Sequence, residues 1–568
     1  EAFKASEPTA SRRHGISVLP ISRIPGPMRL PFLGFLGFLF ALTTTLMAIA
    51  CSNVAGMLLA RAAGRRREMA TRLAVGASRG RLVAQLLTET MVLFVAAGVV
   101  SLPLTVWLIQ GLESFLPALP VMINLDLSVN ARVMAYAVGM ALVTSVVFGL
   151  APARHALSGE LAPMLHGANA TADRKRFRLR NGLVTAQVAL SLMLVVVAFL
   201  FVRTLQAAAT IDPGFDTANI QIASVDVGLS GYRGPRAAAL AQRFQEQLRQ
   251  ISGVESVATA RMIPLQGGGL GLGAITVPGT PGPDRNGEWD ADWDVVSPEY
   301  FATIGMRIVE GRPFTMTDRE GAPFVAVVNE TFARRVWPGQ SAIGKVFEQR
   351  VSETETRQVQ VVGVAAAAKY RYISDGPRNF VYVPMAQQPM TQVEFFIKHA
   401  VGRSIAREVR AAVAQVESSV PVVMLQSFTD AAAVGLLPQQ LTAWIAGSVG
   451  TIGVFLAALG LYGLMAFLVA QRTREIAIRM ALGASESNMR SMVMKQAAWL
   501  GATGGVIGLV LAGLIGTFAQ NLLVGVPAID PLAFGGTAAL FAVILAIASW
   551  TPARRAAATD PAVALRAE

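Results

Sequence analysis

Arg67-Glu68-Met69-Ala70-Thr71-Arg72-Leu73-Ala74-Val75-Gly76-Ala77-Ser78 is matched far downstream by Arg474-Glu475-Ile476-Ala477-Ile478-Arg479-Met480-Ala481-Leu482-Gly483-Ala484-Ser485. Read as a helix, each copy sets Glu and Arg four residues apart (Glu68 with Arg72, Glu475 with Arg479), where they can pair. Met69 with Leu73, and Ile476 with Met480, give each a narrow apolar stripe. Gly76 and Gly483 suit the position just past a helix end, and Ser78 and Ser485 can cap the helix that follows. A second match, Pro152-Ala153-Arg154-His155-Ala156 against Pro552-Ala553-Arg554-Arg555-Ala556, closes each unit. Internal repetition of this kind decides the architecture before local detail does.

The units are built of apolar blocks. The chain of 568 residues is 53% hydrophobic and 15% charged, with mean hydropathy +0.49. Seven blocks approach the roughly 20 residues a spanning helix needs: Pro31–Met57, Gln85–Gln110, Val133–Leu150, Leu183–Val202, Leu441–Val469, Ala497–Ala519 and Leu532–Trp550. Spans one to three therefore correspond to spans five to seven. Span four and the polar region after it have no earlier counterpart, so a tandem duplication predicts a first helix and a first outer domain upstream of Glu1.

The net charge of +13 follows the spans and does not form the basic face of a nucleic-acid binder. Arg61, Arg65, Arg66, Arg67, Arg72, Arg79 and Arg81 follow span one; Arg154, Arg174, Lys175, Arg176, Arg178 and Arg180 follow span three. Arg472, Arg474, Arg479 and Arg490 follow span five, and Arg554, Arg555 and Arg566 follow span seven. The short loops Gly111–Asn130 and Asn521–Pro531 hold no Arg or Lys. The positive-inside rule makes the basic side cytoplasmic. The large polar region is then extracytoplasmic, with the basic stub that holds Arg12, Arg13, Arg23 and Arg29.

The organisation expected is thus an end of an outer region over 1–30, a three-helix membrane unit over 31–153 and a basic linker over 154–182. A further membrane helix over 183–204 leads to the outer domain, 205–440, and a second three-helix unit follows over 441–568. Within the outer domain Ile220–Gly228, Pro235–Ile251 and Val254–Pro264 read as strand, helix and strand. Val393–His399, Ile405–Ser418 and Val420–Gln426 repeat that order. Two such units around an insertion, roughly Gly271–Val383, predict a split α+β fold of ferredoxin-like type with a β-rich inserted subdomain.

With these residues in view, the two Arg-Glu-x-Ala-x-Arg-x-Ala-x-Gly-Ala-Ser elements resemble the cytoplasmic coupling segment of FtsX-type permeases of ABC transporters, including MacB. Tyr300-Phe301, Gly311-Arg312-Pro313-Phe314 and Val327-Val328-Asn329 resemble the MacB-like periplasmic core domain. The duplicated layout is similar to that of the acidobacterial duplicated orphan permeases. The resemblance implies a permease of the inner membrane, driven by a separate ABC ATPase subunit. The ATPase would dock around Arg67, Glu68, Arg72 and Gly76, and around Arg474, Glu475, Arg479 and Gly483. Force would pass through spans four and five to the outer domain (mechanotransmission), serving export or extraction. Two neighbouring functions share these parts: a non-transport regulator of an extracytoplasmic enzyme, and a lipoprotein-release-type permease. The outer partner would be a protein or a lipophilic cargo.

No enzymatic role is expected, and no cofactor or metal. The middles of the spans lack Asp, Glu, Lys and Arg, which disfavours an ion-coupled transporter. Gly339–Lys345 fits the start of a phosphate loop, but Val346 stands where Mg²⁺ needs Ser or Thr, so a surface turn is expected. Asp290, Asp292 and Asp294 read as a solvated acidic loop. His14, His155, His166 and His399 are scattered, and Cys51 is the single cysteine. Gly501, Gly504, Gly505 and Gly508 form a small-residue face for close helix packing, within the bundle or against a second copy.

Overall fold

The computed structural model describes residues 26–64, 71–72, 75, 77–115, 131–132, 134–135, 138–139, 170–267, 271–272, 274–284, 286–351, 355–388, 390–471, 478–480, 482 and 484–557. Six helices among them are long and apolar enough to cross a membrane, and they correspond to six of the seven expected spans. Val133–Leu150, the third, lies for the most part outside the described residues, as do the stub and most of the basic linker.

The bundle is built from α1 (Gly26–Gly64), α2 (Arg79–Phe115) and α3 (Ala170–Ala209). After the outer domain come α6 (Leu437–Gln471), α7 (Glu486–Phe518) and α8 (Pro531–Ala557). Between them, α4 (Pro235–Arg249) and α5 (Ala406–Val416) belong to the outer domain. The bundle is arranged around α3, whose apolar run from Val184 to Phe201 is almost wholly buried by α1, α6, α7 and α8. By contrast α2 turns Val92, Val99, Val100 and Trp107 outward, the apolar surface that lipid covers in a spanning helix.

The glycine face lies inside the chain. A Cβ on Gly504 would sit 2.9 Å from the Thr185 carbonyl oxygen, and one on Gly508 2.6 Å from that of Ala189. Both point at the backbone of α3, and Gly501 faces Leu545 of α8. Missing side chains thus let α7 and α3 touch backbone to backbone. Gly508→Ala is expected to cost about 2 kcal/mol, read as earlier loss of helix signal on heating in detergent. Gly513→Ala on the same helix, where a Cβ meets nothing within 4 Å, should leave the transition unmoved. Equal behaviour of the two variants would refute this packing.

The outer domain carries one sheet of β1 (Ile220–Asp226), β2 (Val254–Ala260), β3 (Ile275–Thr276), β4 (Asp292–Val296), β5 (Ile308–Gly311) and β6 (Val325–Asn329). It is completed by β7 (Val346–Arg350), β8 (Thr356–Ala365), β9 (Phe380–Pro384), β10 (Gln392–His399) and β11 (Val422–Ser427). The order is β11-β1-β10-β2-β4-β9-β6-β8-β7-β3, with β5 on β8. Over its first four strands the sheet is antiparallel. There α4 and α5 pack on one face through Leu240, Phe244, Val409 and Val413. Beyond them β4–β9 and β6–β8 are parallel pairs. The two regions of the sheet meet at a narrow seam, the single ladder pair Ala260↔Val296.

Two long helices, α3 and α6, join this domain to the bundle. The 40 residues of α3 and the 35 of α6 span about 60 and 52 Å at ~1.5 Å per residue, well beyond a hydrocarbon layer of about 30 Å. Ala208 near the end of α3 belongs to the same cluster as Phe215, Phe396 and Phe428, with Leu436 and Val524 packed against it. Arg203 on α3 pairs with Asp530 at 3.3 Å, and Asp530 in turn accepts from the Ala533 N–H at the start of α8.

Candidate functional site

The described residues of the two repeated elements make the same hydrogen bonds. Ahead of each glycine a helical turn closes with Val75 N–H donating to the Thr71 carbonyl (3.1 Å) and Leu482 N–H to that of Ile478 (3.0 Å). A six-residue bond follows in each, Ala77 to Arg72 at 3.0 Å and Ala484 to Arg479 at 2.9 Å. Such bonds close the C-terminal end of a helix. The next helix begins at once: Arg81 N–H donates to Ser78 Oγ, and Asn488 N–H to Ser485 Oγ, both at 3.4 Å. The serine caps thus stand where the spacing placed them.

Arg72 and Arg479 extend the equivalence. Arg72 donates through Nη1 to Gln85 Oε1 (3.1 Å), and Arg479 through Nη1 to Met492 Sδ (3.1 Å). Gln85 and Met492 occupy corresponding turns of α2 and α7, so each arginine ties its element to the helix that enters the membrane. Arg67, Glu68, Gly76, Arg474, Glu475 and Gly483 lie outside the described residues, and with them the expected Glu–Arg pairs. One feature escaped the sequence reading. Val75 is 84% exposed and Leu482 82%, at matching positions of the two elements. An apolar residue just before the glycine, twice over, was the available signal.

The acidic residues of β4 correct an expectation. Asp292 and Asp294 are not in a solvated loop; they lie in a strand buried along its length. Asp292 pairs with Arg371 at 2.5 Å and with Arg378 at 3.9 Å. Asp294 accepts from the N–H groups of Val295 (2.7 Å) and Arg261 (3.2 Å), beside the seam of the sheet. Burial pushes its carboxyl up to about 8, against those hydrogen bonds and the Arg261 charge. Arg261 itself stacks on Trp293 at 4.3 Å, and burial lowers its pKa. Tyr300, Tyr370 and Tyr382 crowd the same core, Tyr370 being pushed up to about 12 by burial. No group of three or more His, Cys, Asp or Glu suited to a metal occurs among the described residues. Gly339–Lys345 is a turn, with Gly339 and Gly344 at positive φ, and Lys345 donates to Gln340.

Apolar spanning helices carrying an extracytoplasmic α/β domain define a multi-pass membrane protein. Residues 38–161 and 447–561 match the family model described as FtsX-like permease C-terminal, and residues 182–434 match the MacB-like periplasmic core domain. The chain belongs to the FtsX-like permeases that bear a MacB-like periplasmic core. Among its relatives is the macrolide export ATP-binding/permease protein MacB of Marinobacter nauticus, 27% identical over 46% of this chain and 41% of that protein. Another is the pyoverdine export ATP-binding/permease protein PvdT of Pseudomonas fluorescens, 28% identical over 48% of this chain and 42% of that protein. The chain thus spans less than half the length of these curated relatives. The periplasmic region of MacB from Actinobacillus actinomycetemcomitans aligns over 38% of this chain and 91% of its own, at 13% identity and a TM-score of 0.27.

Proposed function

We propose that the chain is the membrane subunit of an ABC exporter of the inner membrane, which converts ATP-driven motion in the cytoplasm into movement of its outer domain. The observation that supports this reading is that the described residues of the two repeated elements make the same hydrogen bonds and expose one apolar side chain each, Val75 and Leu482, directly ahead of a serine-capped apolar helix. Such an element passes a push to its helix with little loss, because no flexible linker intervenes. From the bundle, α3 reaches the core of the outer domain through Ala208, and α6 starts directly after Leu436, which packs on that same core. The two helices also pack against each other in the bundle, so rotation or tilt of them moves the outer domain. A separate ABC ATPase subunit supplies the motion, docking at Arg67–Ser78 and Arg474–Ser485. The domain limits follow the sequence reading, with a split ferredoxin-like half and a β-rich insertion outside. The duplicated plan is that of the acidobacterial duplicated orphan permeases.

The test is charge reversal at both elements. Arg67→Glu with Arg474→Glu, in protein reconstituted with an ABC ATPase whose hydrolysis the unsubstituted chain stimulates, is expected to abolish that stimulation. Insertion, checked by protease protection of the outer domain, stays normal. Full stimulation by the double variant would remove the docking role.

A further inference from the structure

Strand β2 joins the two regions of the outer sheet, and the register sets a buried carboxyl on either side of it. Glu394 of β10 lies opposite Ala260, and Ala260 lies opposite Val296 of β4. Asp294, two residues before Val296, shares its face of the sheet. Asp294 is 1% exposed and Glu394 4%. The ties across the seam converge here. The Ala260↔Val296 pair is flanked by Arg261 N–H donating to the Val295 carbonyl (3.0 Å) and by Ser297 N–H donating to that of Thr259 (2.9 Å). Tyr300, on the short helix Tyr300–Thr303, packs edge-on against Phe396 of β10 at 5.6 Å. On one side of the seam β1 follows α3 and β11 precedes α6; on the other lie the strands inserted between β2 and β10. We infer that the seam is a proton-sensitive joint, which fixes the inserted part of the outer domain against the part anchored by α3 and α6 while Asp294 and Glu394 are protonated, and loosens when they ionise.

The surroundings of the two carboxyls offer little to hold a charge. Arg261 reaches Asp294 through its backbone N–H (3.2 Å), while its guanidinium lies over the Trp293 ring and donates to the Trp293 carbonyl. Tyr382 of β9 is the direct ladder partner of Asp294, with the Tyr370 hydroxyl at 3.5 Å behind it. Tyr300 feels the Asp294 charge from the short helix. Along β4 itself, Asp292 is already taken up by Arg371 and Arg378. Glu394 accepts from Ser224 Oγ of β1 and from Gln392 (3.4 Å). The charged residues on its face are Asp226, opposite Gln392, and Lys398 further along β10; β11 adds the uncharged Met424 and Gln426. A carboxylate formed in this core regains hydration by admitting water, and the seam beside it is crossed by few backbone bonds. Burial raises both carboxyls, Asp294 to about 8. Once water reaches it, Asp294 returns toward 3.8. The ratio of loose to closed seams therefore rises about tenfold per pH unit between roughly pH 4 and 8. The closed seam belongs to the acid side of that window and is lost as pH rises through it.

The experiment measures distances between spin labels by double electron–electron resonance, in the full chain carrying Cys51→Ala, in nanodiscs. Labels at Ala414→Cys on α5 and Glu320→Cys in the inserted part, both exposed positions, span the seam. From pH 6 to pH 9 the ratio of displaced or broadened distances to the closed one is expected to rise about a hundredfold, and to fall back when the pH is restored. A control pair within the anchored part, Gln242→Cys on α4 with Ala414→Cys, keeps one distance throughout. Asp294→Asn with Glu394→Gln should hold the pH 6 distribution at pH 9. Distances across the seam that ignore pH in the chain with both carboxyls intact would overturn the joint, whether or not the amide variant folds. So would broadening of the control pair in step with the first, which marks general unfolding. No ATPase enters these readouts, so the docking reading stands or falls separately.

Discussion

Val75→Asp combined with Leu482→Asp is expected to raise the ATPase concentration needed for half-maximal stimulation by about a hundredfold. Each side chain is apolar and more than four-fifths exposed, and the backbone N–H of each is hydrogen-bonded within its element. Burying a Val or Leu side chain in a partner's cleft is worth roughly 1.5–3 kcal/mol. About 1.4 kcal/mol corresponds to a factor of ten. The two sites are independent surfaces, so each single variant should cost about tenfold and the pair the product. If the tips instead only rest in the lipid interface, aspartate would lift them from the membrane without touching the ATPase. A titration indifferent to both substitutions would favour that anchor and count against docking.

Asp294→Asn is expected to stabilise the protein strongly at pH 8 and hardly at all at pH 4. The carboxyl titrates at about 8 in the fold because burial penalises its charge, against 3.8 for an ordinary aspartate. Between roughly pH 4 and 8 the folded protein therefore keeps a proton that the unfolded chain has released, and stability falls as pH rises through that window. At about 1.4 kcal/mol per pH unit the loss reaches the order of 5 kcal/mol by pH 8. Asparagine retains the oxygen that accepts from Val295 and Arg261 and carries no charge to desolvate. Glu394 is also raised by burial, so the variant should flatten the slope without removing it. Tryptophan fluorescence on heating, at pH 5 and pH 8, reads the effect through Trp293 next door. A wild-type protein more stable at pH 8 than at pH 5 would contradict the assignment.

Much of the outer domain was legible because its periodicities are local. The strand expected over Ile220–Gly228 is Ile220–Asp226, and the helix expected over Pro235–Ile251 is Pro235–Arg249. Val393–His399 and Ile405–Ser418 read equally well, forming Gln392–His399 and Ala406–Val416. The spans announced themselves through uninterrupted apolar runs, and the serine caps through their place after a glycine. Asp292 and Asp294 did not. Alternating acids look solvated unless one knows that Arg371 and Arg378, some eighty positions downstream, return to neutralise Asp292. The apolar tips were missed for the opposite reason: the stripe was read from Met69 with Leu73 and from Ile476 with Met480, and the exposure of Val75 and Leu482 is visible only in the fold.

The burial of α3 has a consequence for biogenesis. Gln187, Ser191 and Thr204 are shielded by neighbouring helices, most of which are translated only after more than two hundred residues have been exported and folded outside. Until α6, α7 and α8 leave the ribosome, α3 waits in lipid with those polar groups unsheltered. Assembly of the membrane half is therefore timed by the last helices to be synthesised, and a nascent chain stalled before Leu437 would be a natural substrate for membrane quality control.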